Sequence, residues 1–244
     1  MVQGIVLAAG RGSRMKHLTD DKPKSFSRYK NKRLIDIIIN NFKVNKIANL
    51  NIVVGYKRTL FKSFKTKKIL NSKWSSTSIF FSLQCATRIL KKNSCIISYA
   101  DILYKPNAIK LLKQAKGDIV ILNNTNWKKT WKKRFKTPLS DLESFDYKTI
   151  NKNKFLTKIG SRPRNMSSIK GQFGGLIKIT PHGWKRIQNF IKEDKINIKK
   201  LDMTSFFSKF TKKNKFVVKI VDYKNMWFEV DTINDLNILN SKDN

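Results

Sequence analysis

Short apolar segments alternate with stretches of helical periodicity along most of the chain, and this order restricts the folds that are open to it. Residues 2–7 (VQGIVL) form an apolar run that enters a Gly-containing loop, as buried strands often do. From 34 to 47 the apolar residues recur at helical spacing, and 49–55 (NLNIVVG) is a second apolar run. Strand, helix and strand in this order predict a βαβ unit with two parallel strands.

The same alternation continues towards the end of the chain. Helical patterns occur over 79–90, from Pro106 to about Ala115, from Pro181 to Glu193, over 203–213 and after Asp231. Strand patterns occur over 94–99, 118–123, 145–150, 154–159, 175–180, 215–222 and 227–230. We therefore predict an α/β fold with a Rossmann-like, mixed and mostly parallel sheet and helices on both faces. Residues 1–244 are predicted to form one domain, in which an insertion at about 126–174 forms a small lid or side wall.

The charge balance is extreme for a folded chain. The sequence carries 52 Lys and Arg against 16 Asp and Glu, a formal net charge of +36. Such a field attracts nucleic acid, anionic membrane surfaces and small phosphorylated substrates alike. The cations are spread over the whole length without a basic tail, a pattern that also fits a merely solvated basic surface.

Several classes of protein are disfavoured by what the sequence lacks. No apolar run approaches the ~18 residues of a membrane span, and no charged region precedes the first apolar stretch. We therefore expect a cytoplasmic protein without a signal peptide or membrane insertion. Cys85 and Cys95 are the only cysteines and lack CxxC spacing, while His17 and His182 stand alone, so neither a disulfide framework nor a zinc site is predicted.

The loop after the first strand, LAAGRGSRM at 7–15, contains two glycines. The absence of side chains there lets backbone N–H groups close around phosphate oxygens. A dinucleotide-binding motif would have a third glycine where Met15 stands, and a P-loop would require Gly-Lys-Ser/Thr, which is absent. The loop therefore indicates phosphate binding of another kind.

The extended string resembles the N-terminal signature of the nucleoside-triphosphate transferases, the family of the sugar-1-phosphate and phosphocholine nucleotidyltransferases. The resemblance is carried by Leu7, Ala8, Ala9, Gly10, Gly12, Ser13, Arg14, Met15, Leu18, Thr19, Pro23 and Lys24. It implies nucleotide contacts from Leu7, Ala8, Ala9, Gly10, Arg11, Gly12, Ser13, Ser78 and Ala100. It also implies catalytic roles for Arg14, at the outgoing pyrophosphate, and for Lys24, at the α-phosphate. A fixed cation at the α-phosphorus stabilises the charge of the transition state more than that of the ground state.

Two carboxylates follow predicted strands. Asp101 lies two residues past the strand 94–99, and Asp231 follows the strand 227–230. The carboxyl ends of strands in an open parallel sheet face the ligand crevice, where paired carboxylates suit Mg²⁺ on a triphosphate. A turn residue at 101 and a helix cap at 231 are the structural alternatives. YADILY and WFEVDT resemble metal-binding segments of the cytidylyltransferase branch, which implies Mg²⁺ on both aspartates.

The predicted insertion carries the candidate acceptor pocket. Trp127, Trp131 and Arg134 share one face if this stretch is helical, and Asp141 and Glu143 follow closely. Aromatic faces bind ammonium groups, a guanidinium binds a phosphate or phosphonate, and a carboxylate pairs with an amine. The structural alternative is one core tryptophan beside a solvated Lys-rich stretch.

A second resemblance covers nearly the full chain. The pattern W-x3-W-x2-R-F-x2-PLSD-x-E, with GQFGGLIKITPHGW (171–184, including Gln172), MTSFF and WFEVDTINDL, resembles a bacterial branch that transfers CMP to phosphocholine, phosphoglutamine or small phosphonates. It implies a Mg²⁺-dependent cytidylyltransferase that joins CMP from CTP to such a headgroup, 2-hydroxyethyl- or 2-aminoethylphosphonate included, and releases pyrophosphate. Gln172 joins the implied acceptor-binding residues.

Some alternatives stay open. The sequence does not decide which headgroup is the acceptor, and it does not decide whether the chain forms a homodimer. A sugar-1-phosphate nucleotidyltransferase is the alternative enzyme. The alternative class is a non-catalytic basic protein that binds nucleic acid. The resemblance to the cytidylyltransferase branch covers nearly the full chain, which leaves no room for a separate nucleic-acid module. No specific nucleic acid partner is therefore expected.

Overall fold

The computed structural model describes residues 1–241, which form thirteen strands and eight α-helices. The strands are β1 (Val2–Ala8), β2 (Arg28–Tyr29), β3 (Lys32–Arg33), β4 (Leu50–Val54), β5 (Lys67–Leu70), β6 (Ser94–Tyr99), β7 (Ile102–Tyr104), β8 (Ile119–Asn124), β9 (Phe145–Ile150), β10 (Asn153–Ile159), β11 (Gln172–Ile179), β12 (Val218–Tyr223) and β13 (Trp227–Glu229). The helices are α1 (Leu34–Val44), α2 (Ile79–Cys85), α3 (Thr87–Leu90), α4 (Asn107–Gln114), α5 (Trp127–Arg134), α6 (Pro181–Glu193), α7 (Met203–Lys213) and α8 (Ile233–Asn240). Short 3-10 helices occur at Ser13–Thr19, Lys24–Phe26, Arg58–Ser63 and Pro138–Ser140.

Nine of the strands form one sheet in the order β5-β4-β1-β6-β11-β8-β12-β10-β9. The first four are parallel, β11 runs antiparallel between β6 and β8, and β12 is parallel to β8. Only β10 and β11 run against the other strands. The predicted α/β fold with a mixed, mostly parallel sheet is confirmed.

Most predicted elements agree with the structure to within a few residues, and the differences lie where periodicity is weak. The helix predicted over 79–90 is divided at Ala86 into α2 and α3. The strand β11 begins at Gln172, before the predicted 175, and a register shift follows Phe173. The strands β2, β3, β5 and β7 were not predicted, because runs of two to four residues carry too little alternation.

The predicted insertion contributes α5 and the hairpin β9–β10. This hairpin pairs with β12 through β10 and so extends the main sheet. Helix α7 packs on β10, and its Phe206 stacks on Phe80 of α2 at 4.3 Å between ring centroids. Helix α7 therefore lies between the hairpin of the insertion and α2 in the first half of the chain.

A separate two-stranded sheet brings distant parts of the sequence together. The strand β13 pairs antiparallel with β7, which places Glu229 opposite Ile102. Beyond the paired residues, the N–H of Val230 donates to the carbonyl oxygen of Asp101 at 2.9 Å. The chain segments that hold Asp101 and Asp231 therefore lie side by side. Among residues 1–241, no helix combines the length and the hydropathy that a membrane span needs.

Candidate active site

Lys24 lies at the centre of the candidate site, between the two aspartates predicted to bind metal. Its Nζ is 2.5 Å from Asp101 Oδ2 and 2.7 Å from Asp231 Oδ1. The side chain is only 11% exposed. Burial alone would lower the pKa of Lys24, but the charges of Asp101 and Asp231 outweigh it and raise the pKa above its usual value. The ammonium therefore stays charged at neutral pH.

The loop after β1, residues 7–15 and referred to below as the phosphate loop, leaves room for this lysine because of one glycine. Gly12 adopts φ +82°, and a Cβ at this position would lie 2.4 Å from Cβ of Lys24. The adjoining backbone is tied to the lysine, since the Lys24 N–H donates to the Arg11 carbonyl at 3.0 Å. Any side chain larger than hydrogen at position 12 would therefore displace the central cation.

Asp231 is surrounded by cations. Arg14 donates to its Oδ1 at 2.9 Å, and Arg134 lies 3.4 Å from its Oδ2. Burial would raise the pKa of Asp231, but the charge and hydrogen bond of Lys24 and the charges of Arg14 and Arg134 lower it. Asp231 is therefore ionised, as a metal ligand must be.

Arg134 is not part of the lining of either of the two cavities described below, in contrast to the predicted grip on the substrate phosphate. Its side chain is 1% exposed, and its Nε donates to Asp235 Oδ1 at 2.8 Å. The other oxygen of Asp235 accepts from the N–H groups of Asp231 and Thr232 and so caps α8. The Arg134–Asp235 pair thus fixes the backbone that carries Asp231, and its guanidinium is committed to carboxylates of the protein.

Three carboxylates at this point fit a divalent cation. Oxygen atoms of Asp101, Glu229 and Asp231 lie within 4.8 Å of one another. The Oδ1 of Asp101 is buried and has no hydrogen-bond partner within the described residues. Burial, followed by the charges of Asp231 and Asp101, raises the pKa of Glu229 to about 8. Crowded carboxylate oxygens of this kind are the ligands that Mg²⁺ and Ca²⁺ prefer.

Glu229 was not predicted, although the sequence contained a signal for it. Residues two apart on a strand point to the same face, and the sequence-predicted strand 227–230 in WFEVD therefore indicated that Glu229 and Asp231 share one side. Oxygen atoms of the two carboxylates do lie within 4.8 Å of each other.

A cavity of about 190 Å³ lies on one side of Lys24 and is referred to below as the loop cavity. Among the predicted nucleotide-binding residues, its lining includes Leu7, Ala8, Ala9, Gly10, Gly12, Ser78 and Ala100. Arg11 and Ser13 are not part of the lining. Arg11 forms an ion pair with Asp20 instead, and Ser13 is exposed at the start of a 3-10 helix. The sequence missed Trp74, Thr77 and Ser82, which lie in a stretch without a recognised motif.

A cavity of about 320 Å³ lies on the other side and is referred to below as the acceptor cavity. Of the predicted residues, its lining includes Arg14, Trp131, Asp141, Glu143, Gln172 and Asp231. Trp127 is absent from the lining and is buried in the hydrophobic core. Trp131 belongs to the same core but also lines the cavity. The sequence missed Tyr99, Phe173, Asp202, Thr204 and Trp227.

Aromatic rings and carboxylates are held in fixed positions around the acceptor cavity. The rings of Trp131 and Trp227 stack at 5.6 Å with an angle of 3° between their planes. Trp131 donates from Nε1 to Asp141 Oδ2 at 3.0 Å. Glu143 accepts from the Thr204 hydroxyl at 3.1 Å, and burial together with the nearby acids raises the pKa of its carboxyl. The cavity therefore combines π faces with acidic groups.

Comparison with protein-family models identifies the family of this chain. Residues 4–142 match the model of the MobA-like NTP transferase domain. The chain belongs to this family. The predicted family and the prediction of an enzyme, a nucleotidyltransferase, are confirmed.

One relative of this NTP transferase aligns over nearly its whole length, and another aligns over less than half of it. A CTP:phosphoglutamine cytidylyltransferase of Campylobacter jejuni subsp. jejuni serotype O:2 is 31% identical over 97% of this chain and 98% of its own. A choline-phosphate cytidylyltransferase of Streptococcus pneumoniae is 32% identical over 43% of this chain and 47% of its own. The solved inositol-1-phosphate CTP transferase of T. maritima superposes with a TM-score of 0.70 at 21% identity, over 97% of this chain and 94% of that one. This last likeness shows a shared fold.

Replacing Arg134 should destabilise this NTP transferase strongly. Arg134→Ala leaves Asp235 buried without its ion-pair partner, which costs about 3–5 kcal/mol for a pair of this kind. Urea unfolding monitored by circular dichroism measures the loss. Lys132→Ala is the matched control, since Lys132 is an exposed cation on the same helix, and should change stability by less than about 0.5 kcal/mol. Equal stabilities for the two variants would contradict the anchoring role.

Proposed function

We propose that this nucleotidyltransferase moves CMP from CTP to a small phosphomonoester or phosphonate that carries a cationic group, and releases pyrophosphate. The observation that carries the proposal is the meeting of two cavities at one cluster of charges. Asp101 lines the loop cavity, Asp231 lines the acceptor cavity, and Lys24 bridges the two carboxylates. A nucleotide on one side and an acceptor on the other would meet at this lysine.

CTP is proposed as the nucleotide because of the relatives. Both curated relatives named above are cytidylyltransferases, and one of them aligns over nearly the whole of this chain. The backbone of the phosphate loop and the hydroxyl groups of Thr77, Ser78 and Ser82 provide polar contacts in the loop cavity.

The chemistry requires little beyond positioning and charge. The nucleophile is an oxygen of the acceptor's phosphate or phosphonate, which is already anionic at neutral pH, so no general base is needed. Its bond to the α-phosphorus forms as the bond from that phosphorus to the bridging oxygen breaks, and pyrophosphate leaves with the electron pair. Lys24 stabilises the negative charge that gathers on the α-phosphate. Arg14, whose side chain is 65% exposed and pairs with Asp231, would contact the leaving pyrophosphate.

Mg²⁺ is the proposed cofactor. Asp101, Glu229 and Asp231 would hold it, because their oxygens converge and one of these atoms lacks a partner. When bound, Mg²⁺ supplies positive charge that offsets the triphosphate.

The lining of the acceptor cavity favours a cationic headgroup. Asp141, Glu143 and Asp202 contribute acidic groups, and the stacked Trp131 and Trp227 provide aromatic surface. Ammonium groups are attracted to both. Phosphocholine, phosphoglutamine and 2-aminoethylphosphonate therefore fit the proposal better than 2-hydroxyethylphosphonate, which carries an uncharged hydroxyl in place of the ammonium group.

A pyrophosphate-release screen tests the function. Four nucleoside triphosphates are crossed with phosphocholine, phosphoglutamine, the two phosphonates and glucose-1-phosphate, in the presence of Mg²⁺. We expect release with CTP and at least one cationic acceptor. Release with a sugar phosphate alone would favour the sugar-1-phosphate alternative, and no release with any pair would contradict the proposal.

Mg²⁺ binding can be measured without turnover. Mg²⁺ alone should raise the melting temperature of the wild-type protein, because it binds the folded carboxylate cluster. The variant Asp101→Asn should lose this shift. Asp21→Asn, which removes an exposed acid outside the cluster, should retain it. An equal Mg²⁺ shift in all three proteins would argue against a metal at this site.

Two substitutions separate the acceptor from the nucleotide. Glu143→Gln and Trp131→Ala should each raise the KM for a cationic acceptor by about 2–30-fold, the range of about 0.5–2 kcal/mol for a lost cation–π or charge contact. The KM for CTP should stay within about twofold of the wild-type value in both variants. In Glu143→Gln, the KM for 2-hydroxyethylphosphonate should also stay within about twofold of the wild-type value. Glu193→Gln, an exposed acid on α6, is the control. A rise in the KM for CTP alone would assign the cavity to the nucleotide instead.

A further inference from the structure

A larger groove lies at the opposite end of the sheet from the active site. It has a volume of about 1090 Å³ and is lined by Gln3 at the start of β1, Asn51 of β4, Lys67 of β5 and Asn93 before β6. Seven of its lining residues are cations: Lys62, Lys65, Lys67, Lys68, Arg88, Lys91 and Lys92. The groove that these seven cations line is referred to below as the basic groove.

No acidic residue of the described part of the chain neutralises the charge of the basic groove. Residues 37–100 contain no Asp or Glu, and no carboxylate lines the groove among the described residues. Within residues 1–241, none of the seven cations forms an ion pair with an acid, in contrast to Lys154 with Asp222 and Lys213 with Asp194. Crowded like charges repel one another, so an anion placed here would relieve the repulsion.

The shape and the lining indicate which kind of anion fits. The surface is concave, and none of the large exposed apolar side chains of the described residues lies on it. A protein that binds a lipid surface inserts exposed apolar groups, whereas the large apolar residues of the groove lining are buried (Leu50) or only partly exposed (Phe64 and Ile89). Amide side chains of Gln3, Asn49 and Asn93 lie between the cations and provide hydrogen-bond donors. A flexible strand with regularly spaced phosphates matches these features.

We propose that the basic groove binds single-stranded nucleic acid through its phosphate backbone, without sequence preference. Contacts from lysine and arginine to phosphate provide affinity without reading bases. The groove lies at the amino ends of the parallel strands, and the carboxyl ends carry the site around Lys24. A bound strand therefore leaves both active-site cavities open. This interaction is independent of the proposed reaction.

The test compares two variants that carry the same net charge. The groove variant combines Lys65→Gln, Lys67→Gln, Lys91→Gln and Lys92→Gln. The control variant combines Lys185→Gln, Lys192→Gln, Lys209→Gln and Lys212→Gln, which are exposed positions on α6 and α7. Binding of fluorescently labelled oligouridylate and oligothymidylate is measured by anisotropy over a series of salt concentrations.

A specific numerical result is expected. Each phosphate contact contributes about 0.7 to the slope of log K against log salt for a single strand. The groove variant should therefore show a slope smaller by about 3 and an affinity at least about tenfold lower near 0.1 M salt. The control variant should change less than half as much. Pyrophosphate release or thermal unfolding verifies that both variants fold.

Two results would overturn the proposal. Equal losses in the two variants would show that the overall field of the protein, and not the groove, attracts the strand. Groove-dependent binding to phosphatidylglycerol vesicles without oligonucleotide binding would assign the surface to lipid. If the groove variant fails to fold, acetylation footprinting of the wild-type protein tests the proposal without it. The oligonucleotide should protect Lys65, Lys67, Lys91 and Lys92 but not Lys185, and absence of this protection would also reject the proposal.

Discussion

A buried ammonium group between two carboxylates determines how the rest of the site is built. Lys24 is almost fully covered, and a buried charge is tolerated only where paired groups surround it. Its partners come from two distant segments, which the pairing of β7 with β13 holds together. Gly12 leaves the space that the lysine occupies. The phosphate loop, β6 and the last strand therefore depend on one another through a single set of ion pairs.

A second ion pair lies behind the first and supports it. Arg134 and Asp235 do not reach the cavities, yet Asp235 binds the backbone of Asp231 and Arg134 approaches its carboxylate. Glu229 adds a third acid within reach of the same guanidinium, at 3.4 Å. Carboxylates in this arrangement are positioned before any ligand arrives, so little reorganisation is needed when a cation or a triphosphate binds.

The sequence predicts the fold well because long apolar runs and helical periodicity are strong signals. The strand 94–99 and the helices 181–193 and 203–213 agree with the structure residue for residue. The site is less predictable, since spacing places Trp127, Trp131 and Arg134 on similar faces of one helix but cannot show what that helix packs against. The packing of α5 decides which of them reaches the acceptor cavity. Trp127 and Trp131 both belong to the hydrophobic core, but Trp131 lines the cavity while Trp127 and the buried Arg134 do not.

The distribution of acids explains how one very basic chain can carry two different cationic regions. Of only 16 acidic residues, seven lie in or directly behind the candidate active site: Asp101, Asp141, Glu143, Asp202, Glu229, Asp231 and Asp235. At this end of the sheet the cations are paired and held in place, as catalysis requires. At the other end, residues 37–100 contribute lysines without any acid. Because nothing in the described protein neutralises them, their charge remains available to a partner.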